Sequence, residues 1–155
     1  MRLTNRFQPP RYRLCRLSAA GPSAWSAIPP VCLLTDLHGE EIPPRVVAIR
    51  LAWDDERLYL RAEGHDERGL TLDPPRSPED PTFWEQDHVE FQLWTNPDCP
   101  ADRFQVILTL DGRVYDSLGL WRTGDIRHEG TVEGSTWQGA WSVRWSAVGL
   151  ATPNV

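Results

Sequence analysis

Over several short stretches of this chain apolar and polar residues alternate one for one, and no stretch shows the apolar spacing of a helix of ordinary length. Successive side chains on a strand point to opposite faces, so such alternation predicts strands with one buried face. Residues 46–53, VVAIRLAW, set Val47, Ile49, Leu51 and Trp53 against Val46, Ala48, Arg50 and Ala52. After the polar turn Asp54-Asp55-Glu56-Arg57, the run LYLRAEGHD sets Leu58, Leu60 and Ala62 against Tyr59, Arg61 and Glu63. Two alternating runs about a short polar turn predict a β-hairpin. A strand over 88–94 follows, with Val89, Phe91 and Leu93 on one face and His88, Glu90, Gln92 and Trp94 on the other. RFQVILTL predicts another strand, Asp111-Gly112 a tight hairpin turn, and RVYDSLGLW its partner. TWQGAWSVRW supplies the last strand, with Trp141, Val143 and Trp145 sharing a face, and SAVGL allows at most one helical turn.

The remaining segments lack periodicity. Residues 1–45 contain seven prolines and are expected to form an extended segment packing on the body, since proline cannot donate to a strand ladder. Trp25 is the candidate anchor of that segment. Residues 66–81 form a polar, proline-rich loop, residues 95–102 a second loop, and the polar, glycine-containing stretch 122–136 a third. Six or more short strands separated by Gly, Pro and Asp turns predict an all-β, antiparallel, jelly-roll-like sandwich. At 155 residues the chain is expected to be a single domain with one core, spanning 1–155.

Composition narrows the function. Eight tryptophans exceed what a core of this size needs, so some are expected at a binding surface, with Trp53, Trp141 and Trp145 assigned to the core by alternation. The net charge is −6 and every one of the sixteen basic residues is arginine, with no basic run, which excludes nucleic acid and anionic membranes as partners. No apolar run reaches the length of a membrane span. The N-terminus MRLTNRFQPPRYRL shows no apolar stretch of a signal peptide, which by sequence alone reads as cytoplasmic and leaves a secreted location open. Cys15, Cys32 and Cys99 fit no zinc spacing; the odd count fits reduced thiols or one disulfide plus a free thiol, with buried apolar cysteines the expected reading. The four histidines have no nucleophile motif beside them, and no hydrolase, zincin or phosphate-loop motif is present. Glycoside hydrolysis would need two carboxylates across a cleft, for example Glu63 and Glu90. The expectation is that the protein is not an enzyme.

The segment FWEQDHVEFQLW carries the candidate chemistry. Trp84 precedes an acidic, polar cluster, and Glu90 lies on the polar face of the strand that follows. An aromatic ring covers the apolar C–H face of a sugar, and a carboxylate accepts from its hydroxyls. Gln92 and Trp94 extend the same face. Asp87 is placed either to hold the turn by accepting backbone N–H groups or to ligate calcium.

These blocks resemble carbohydrate-binding module family 9, within the DOMON-like sandwiches. The resemblance runs from Ala24-Trp25 through Trp53-Asp54-Asp55 with Leu58-Tyr59-Leu60, and through Trp84-Glu85-Gln86-Asp87-His88-Val89-Glu90-Phe91. It continues with Phe104-Gln105-Val106 to Gly112 and closes on Trp141-Ser142-Val143-Arg144-Trp145-Ser146. It implies a non-catalytic sugar-binding sandwich in which Trp84 stacks on a ring and Glu90 contacts hydroxyls. The family's Arg and Asn on the next strand match Gln105 and Ile107 here, and its second stacking Trp lies in a segment beyond the closing strand. Trp94 and Trp121 are the aromatic residues left to substitute. The resemblance also implies structural calcium, with Asp66, Asp73 and Asp87 as candidate ligands, and a missing final strand whose absence would open an edge to another chain. The ligand-binding set is therefore Trp84, Glu90, Gln92, Trp94 and Gln105, and the partner a mono- or oligosaccharide. The alternative is a structural or protein-interaction sandwich of the same fold that binds no sugar.

Overall fold

The computed structural model describes residues 14–17, 25–31, 45–66, 88–94, 96, 99 and 102–151, with the side chains of Arg45, Val46, Val47, Asp66 and Trp121 excepted. Trp84, Asp73, Asp87 and Cys32 lie outside these residues, as does most of the proline-rich segment. Among the described residues, eight strands form two sheets. The larger takes β1 (Cys15–Arg16), β2 (Arg45–Trp53), β3 (Arg57–Asp66), β7 (Ile126–Glu133) and β8 (Thr136–Arg144), in the order β1-β2-β3-β8-β7. The smaller takes β4 (His88–Trp94), β5 (Arg103–Thr109) and β6 (Val114–Asp116), in that order. Every pairing is antiparallel except that of the two-residue β1 with β2.

Alternation decides which side chains meet between the sheets. Leu58, Leu60 and Ala62 of β3 and Trp137, Trp141 and Val143 of β8 are buried against Val89, Phe104, Val106 and Leu108 of β4 and β5. The rings of Phe91 and Trp141 lie 5.3 Å apart at 59°, an edge-tilted contact that joins the sheets. Small residues make room for these large ones. A β-carbon at Gly139 would sit 2.7 Å from the Leu108 side chain, and one at Gly64 would overlap the Trp137 ring. Gly112 and Gly130 bring the β5–β6 turn against β7 backbone to backbone, and a β-carbon at Gly130 would lie 2.4 Å from Gly112 Cα.

The β2–β3 turn is organised by one carboxylate. Asp54 accepts from the backbone N–H of Glu56 (2.8 Å) and Arg57 (2.7 Å) and from the Tyr59 hydroxyl (2.6 Å). The Trp145 indole N–H donates to the Asp54 carbonyl at 2.9 Å, tying the turn to the end of the chain's last strand. Burial raises the pKa of Asp54, but these three hydrogen bonds and the Arg57 charge outweigh it and hold the carboxyl below its usual value. Burial, and after it the hydrogen bond to Asp54, pushes the Tyr59 hydroxyl up to about 12.

The β2–β3 hairpin, the strands at 88–94 and 103–109, and the burial of Trp53, Trp141 and Trp145 agree with the sequence reading. Several features differ. The stretch 122–136 is not all loop, because β7 runs through it. Its inward positions are Ile126, His128, Gly130 and Val132, too weak an apolar alternation to announce a strand, and β8 holds it by backbone pairing. The partner of β5 ends at Asp116. That buried carboxylate accepts from the N–H groups of Leu118 and Leu120, both at 2.9 Å, and turns the chain into a short 3-10 turn at Leu120–Arg122. Trp145 opens a second 3-10 turn instead of ending β8. Cys15 and Cys99 are free and half-buried, not fully buried as expected. Trp25 is half-buried outside the core, on the outer side of the larger sheet.

Gly130→Ala should lower stability by about 1–3 kcal/mol, because two backbones must part. Thermal unfolding followed by circular dichroism measures this, and an unchanged midpoint would contradict the packing described. Asp54 also sets a pH dependence. Its folded pKa is lowered, so its contribution is present above the unfolded value near ~3.9 and is lost as pH falls through the folded value. Urea midpoints measured from neutral pH downward should fall more steeply below pH ~4 for the native chain than for Asp54→Asn.

Candidate functional site

The outer face of the smaller sheet collects the polar residues that alternate with its core positions. The register sets Gln92 opposite Gln105, Trp94 opposite Arg103, and Glu90 opposite Ile107. Because antiparallel partners share a face, these six side chains form one patch across two strands. Glu90 is its hub. Its Oε1 accepts from Gln105 Nε2 at 2.8 Å and from Gln92 Nε2. Arg103 reaches back to Gln92 Oε1 at 3.4 Å and Gln105 Oε1 at 3.5 Å. The backbone N–H of Gln105 donates to Ser117 Oγ at 3.1 Å, which fixes this part of β5 to the segment after β6.

Trp94 closes one end of the patch. It is 47% exposed, the most exposed aromatic among the described large apolar residues, and it stands across the ladder from Arg103. The face therefore offers one carboxylate, two amides, one guanidinium and one open indole. Donors and acceptors lie side by side, as recognition of hydroxyl groups requires. The two Arg103 contacts are at the long limit of a hydrogen bond, so the guanidinium is held loosely and can turn to another acceptor.

Four of the five expected ligand-binding residues, Glu90, Gln92, Trp94 and Gln105, thus share this face, and Trp84 lies outside the described residues. Ile107 stands on the same face but is 2% exposed and offers no polar atom where the resembled family has Asn. Arg103 was not singled out by sequence. Its signal was the alternation Arg103, Gln105, Ile107 along β5, which becomes a site only once the register with β4 is known. Glu63 lies on β3 in the other sheet, its neighbours Arg50, Arg61 and Gln138, so Glu63 and Glu90 occupy opposite outer faces of the sandwich. That pair cannot flank a glycosidic bond. Among the described residues no cluster of three His, Cys, Asp or Glu could hold a metal ion. Of the calcium candidates, Asp73 and Asp87 fall outside those residues, and Asp66 is described only in its backbone.

With this geometry in hand, the chain proves similar to two solved structures of a carbohydrate-binding module family 9 from Caldicellulosiruptor kristjanssonii. The structure in complex with glucose matches with a TM-score of 0.58 at 18% identity, over 92% of this chain and 72% of that one. The structure in complex with cellotriose matches with a TM-score of 0.58 at 16% identity, over 92% of this chain and 70% of that one. The protein has the all-β sandwich fold of these modules. No protein-family model matches the chain, and neither does any curated protein.

A solvent-facing patch of this kind contributes little to stability. Glu90→Ala should therefore shift the unfolding free energy by no more than about 0.5 kcal/mol. Urea denaturation measures this, and a loss several times larger would make Glu90 a structural residue.

Proposed function

We propose that this protein is a non-catalytic carbohydrate-binding module, one domain over its length, that holds a sugar on the outer face of β4 and β5. The observation that carries the reading is the hydrogen-bonded patch of Glu90, Gln92, Gln105 and Arg103 beside the exposed indole of Trp94. Its support is chemical. A pyranose presents hydroxyl edges that both donate and accept, and an apolar C–H face. The carboxylate of Glu90 accepts from one hydroxyl, the amides of Gln92 and Gln105 serve its neighbours, and Arg103 donates to a ring or hydroxyl oxygen. Trp84 is the ring that the family resemblance assigns to stacking, and Trp94 offers an exposed indole for a C–H face. The likeness of fold to modules whose structures hold glucose and cellotriose adds weight to sugars of that kind as ligands.

The binding mode sets a modest affinity. An exposed aromatic stack contributes on the order of 1 kcal/mol, and each solvent-exposed hydrogen bond about as much. A stack and about three such bonds total roughly 4 kcal/mol, which corresponds to a dissociation constant of about a millimolar at best. Calorimetric titration with glucose and cellotriose should give saturable binding in that range. Glu90→Ala and Trp94→Ala should each weaken it by about fivefold or more. Heat-silent titrations with both sugars and with a wider panel of mono- and oligosaccharides would leave a structural or protein-interaction role for this face.

A further inference from the structure

The outer face of the larger sheet, on the far side of the sandwich, is not flat. Three adjoining clefts of about 200, 230 and 350 Å³ run across it. They share walls, since Trp25 lines the first two, Arg61 the last two, and Glu129 and Ala140 the first and third. The ladder explains the groove. Arg50, Arg61, Ala140 and Glu129 form one row across β2, β3, β8 and β7, and the small Ala140 leaves a hollow between its charged neighbours. The next row holds Glu63, Gln138 and Thr131.

Four polar groups of the groove, those of Arg50, Glu63, Arg61 and Gln138, are held by hydrogen bonds. Arg50 pairs with Glu63 and donates to the Ile28 carbonyl at 3.2 Å, which also pins the segment carrying Trp25. Arg61 donates to Gln138 Oε1 at 3.1 Å. Three guanidinium groups, of Arg50, Arg61 and Arg127, stand among two carboxylates, of Glu63 and Glu129. An anion in the groove would meet the carboxylates and a cation the guanidinium groups. A hydroxyl both donates and accepts, so a polyhydroxylated chain satisfies both sets. Trp25 offers a half-buried ring for an apolar C–H face. Four strands at a spacing of about 4.8 Å span roughly 14 Å, more than one sugar ring.

We infer that this groove is a second saccharide site, one that takes an oligosaccharide chain across β2, β3, β8 and β7, with Arg61, Gln138 and Glu129 on its hydroxyls and Trp25 against a ring. It rests on different residues from the β4–β5 face and stands or falls separately. Two sites on opposite faces would let one molecule bridge two polysaccharide chains, and local concentration would then strengthen weak individual contacts.

The test is calorimetry of the full chain with glucose and with β-1,4-linked hexasaccharides of glucose, xylose and mannose. The proteins compared are the native chain, Glu90→Ala, Arg61→Ala and Trp25→Ala, each checked for an unchanged unfolding midpoint. At least one hexasaccharide should bind Glu90→Ala, and Arg61→Ala and Trp25→Ala should each weaken hexasaccharide binding by about tenfold. Should either groove variant unfold early, Gln138→Ala takes its place. Failure of all three hexasaccharides to bind Glu90→Ala, or affinities unmoved by the groove variants, would overturn the site. Glucose reads the other face. If glucose does not bind the native chain while hexasaccharide binding depends on Arg61, the β4–β5 reading fails and the groove stands.

Discussion

The interior of this sandwich is a layer of side chains donated alternately by strands of two sheets, and everything else in the molecule is arranged around it. Trp53, Trp137, Trp141 and Trp145 are all buried in that layer, between 2% and 6% exposed. Rings of this size bury some 150–250 Å² each and dominate the packing of a small domain. They also set conditions on their neighbours. Gly64 exists to admit the Trp137 ring, Gly139 admits Leu108, and Gly112 and Gly130 let a turn and a strand touch through their backbones. Aromatic bulk on one strand is matched by missing side chains on the next.

Once the core has taken every second residue, many of the residues between are left exposed and can serve recognition, although some, such as Ile107 and Ala52, are buried as well. The two outer faces differ in how they use that freedom. On the smaller sheet a single carboxylate gathers two amides and, more loosely, an arginine beside an exposed indole. On the larger sheet Arg50 pairs with Glu63 and Arg61 with Gln138, and the small Ala140 opens a groove beside them. In both, ring and polar groups stand together, which is the combination that a sugar's two kinds of surface call for.

The strands that feed the core were legible because their alternation is strong: Leu58, Leu60 and Ala62 in β3, or Val89, Phe91 and Leu93 in β4, leave little choice of face. β7 was not, since a histidine and a glycine fill two of its four inward positions and pairing with β8 supplies what side chains do not. The short β6 was overextended for a similar reason, as Asp116 looks like one more polar alternation until its carboxylate is seen to cap the following turn. Register was the larger gap. Glu90, Gln92 and Trp94 could be put on one face from a single strand, but nothing local says that Gln105 stands opposite Gln92 or Arg103 opposite Trp94. The same blindness made Glu63 and Glu90 look like a possible pair when the sheets set them on opposite sides of the molecule.

The central claim is that the β4–β5 face meets a sugar, and backbone-amide NMR during a cellotriose titration tests it most directly. The account predicts saturable shifts at residues 90–94 and 103–105, with inner positions such as Val143 and Val148 unmoved. A folded protein in which those amides stay still at saturating sugar would contradict it.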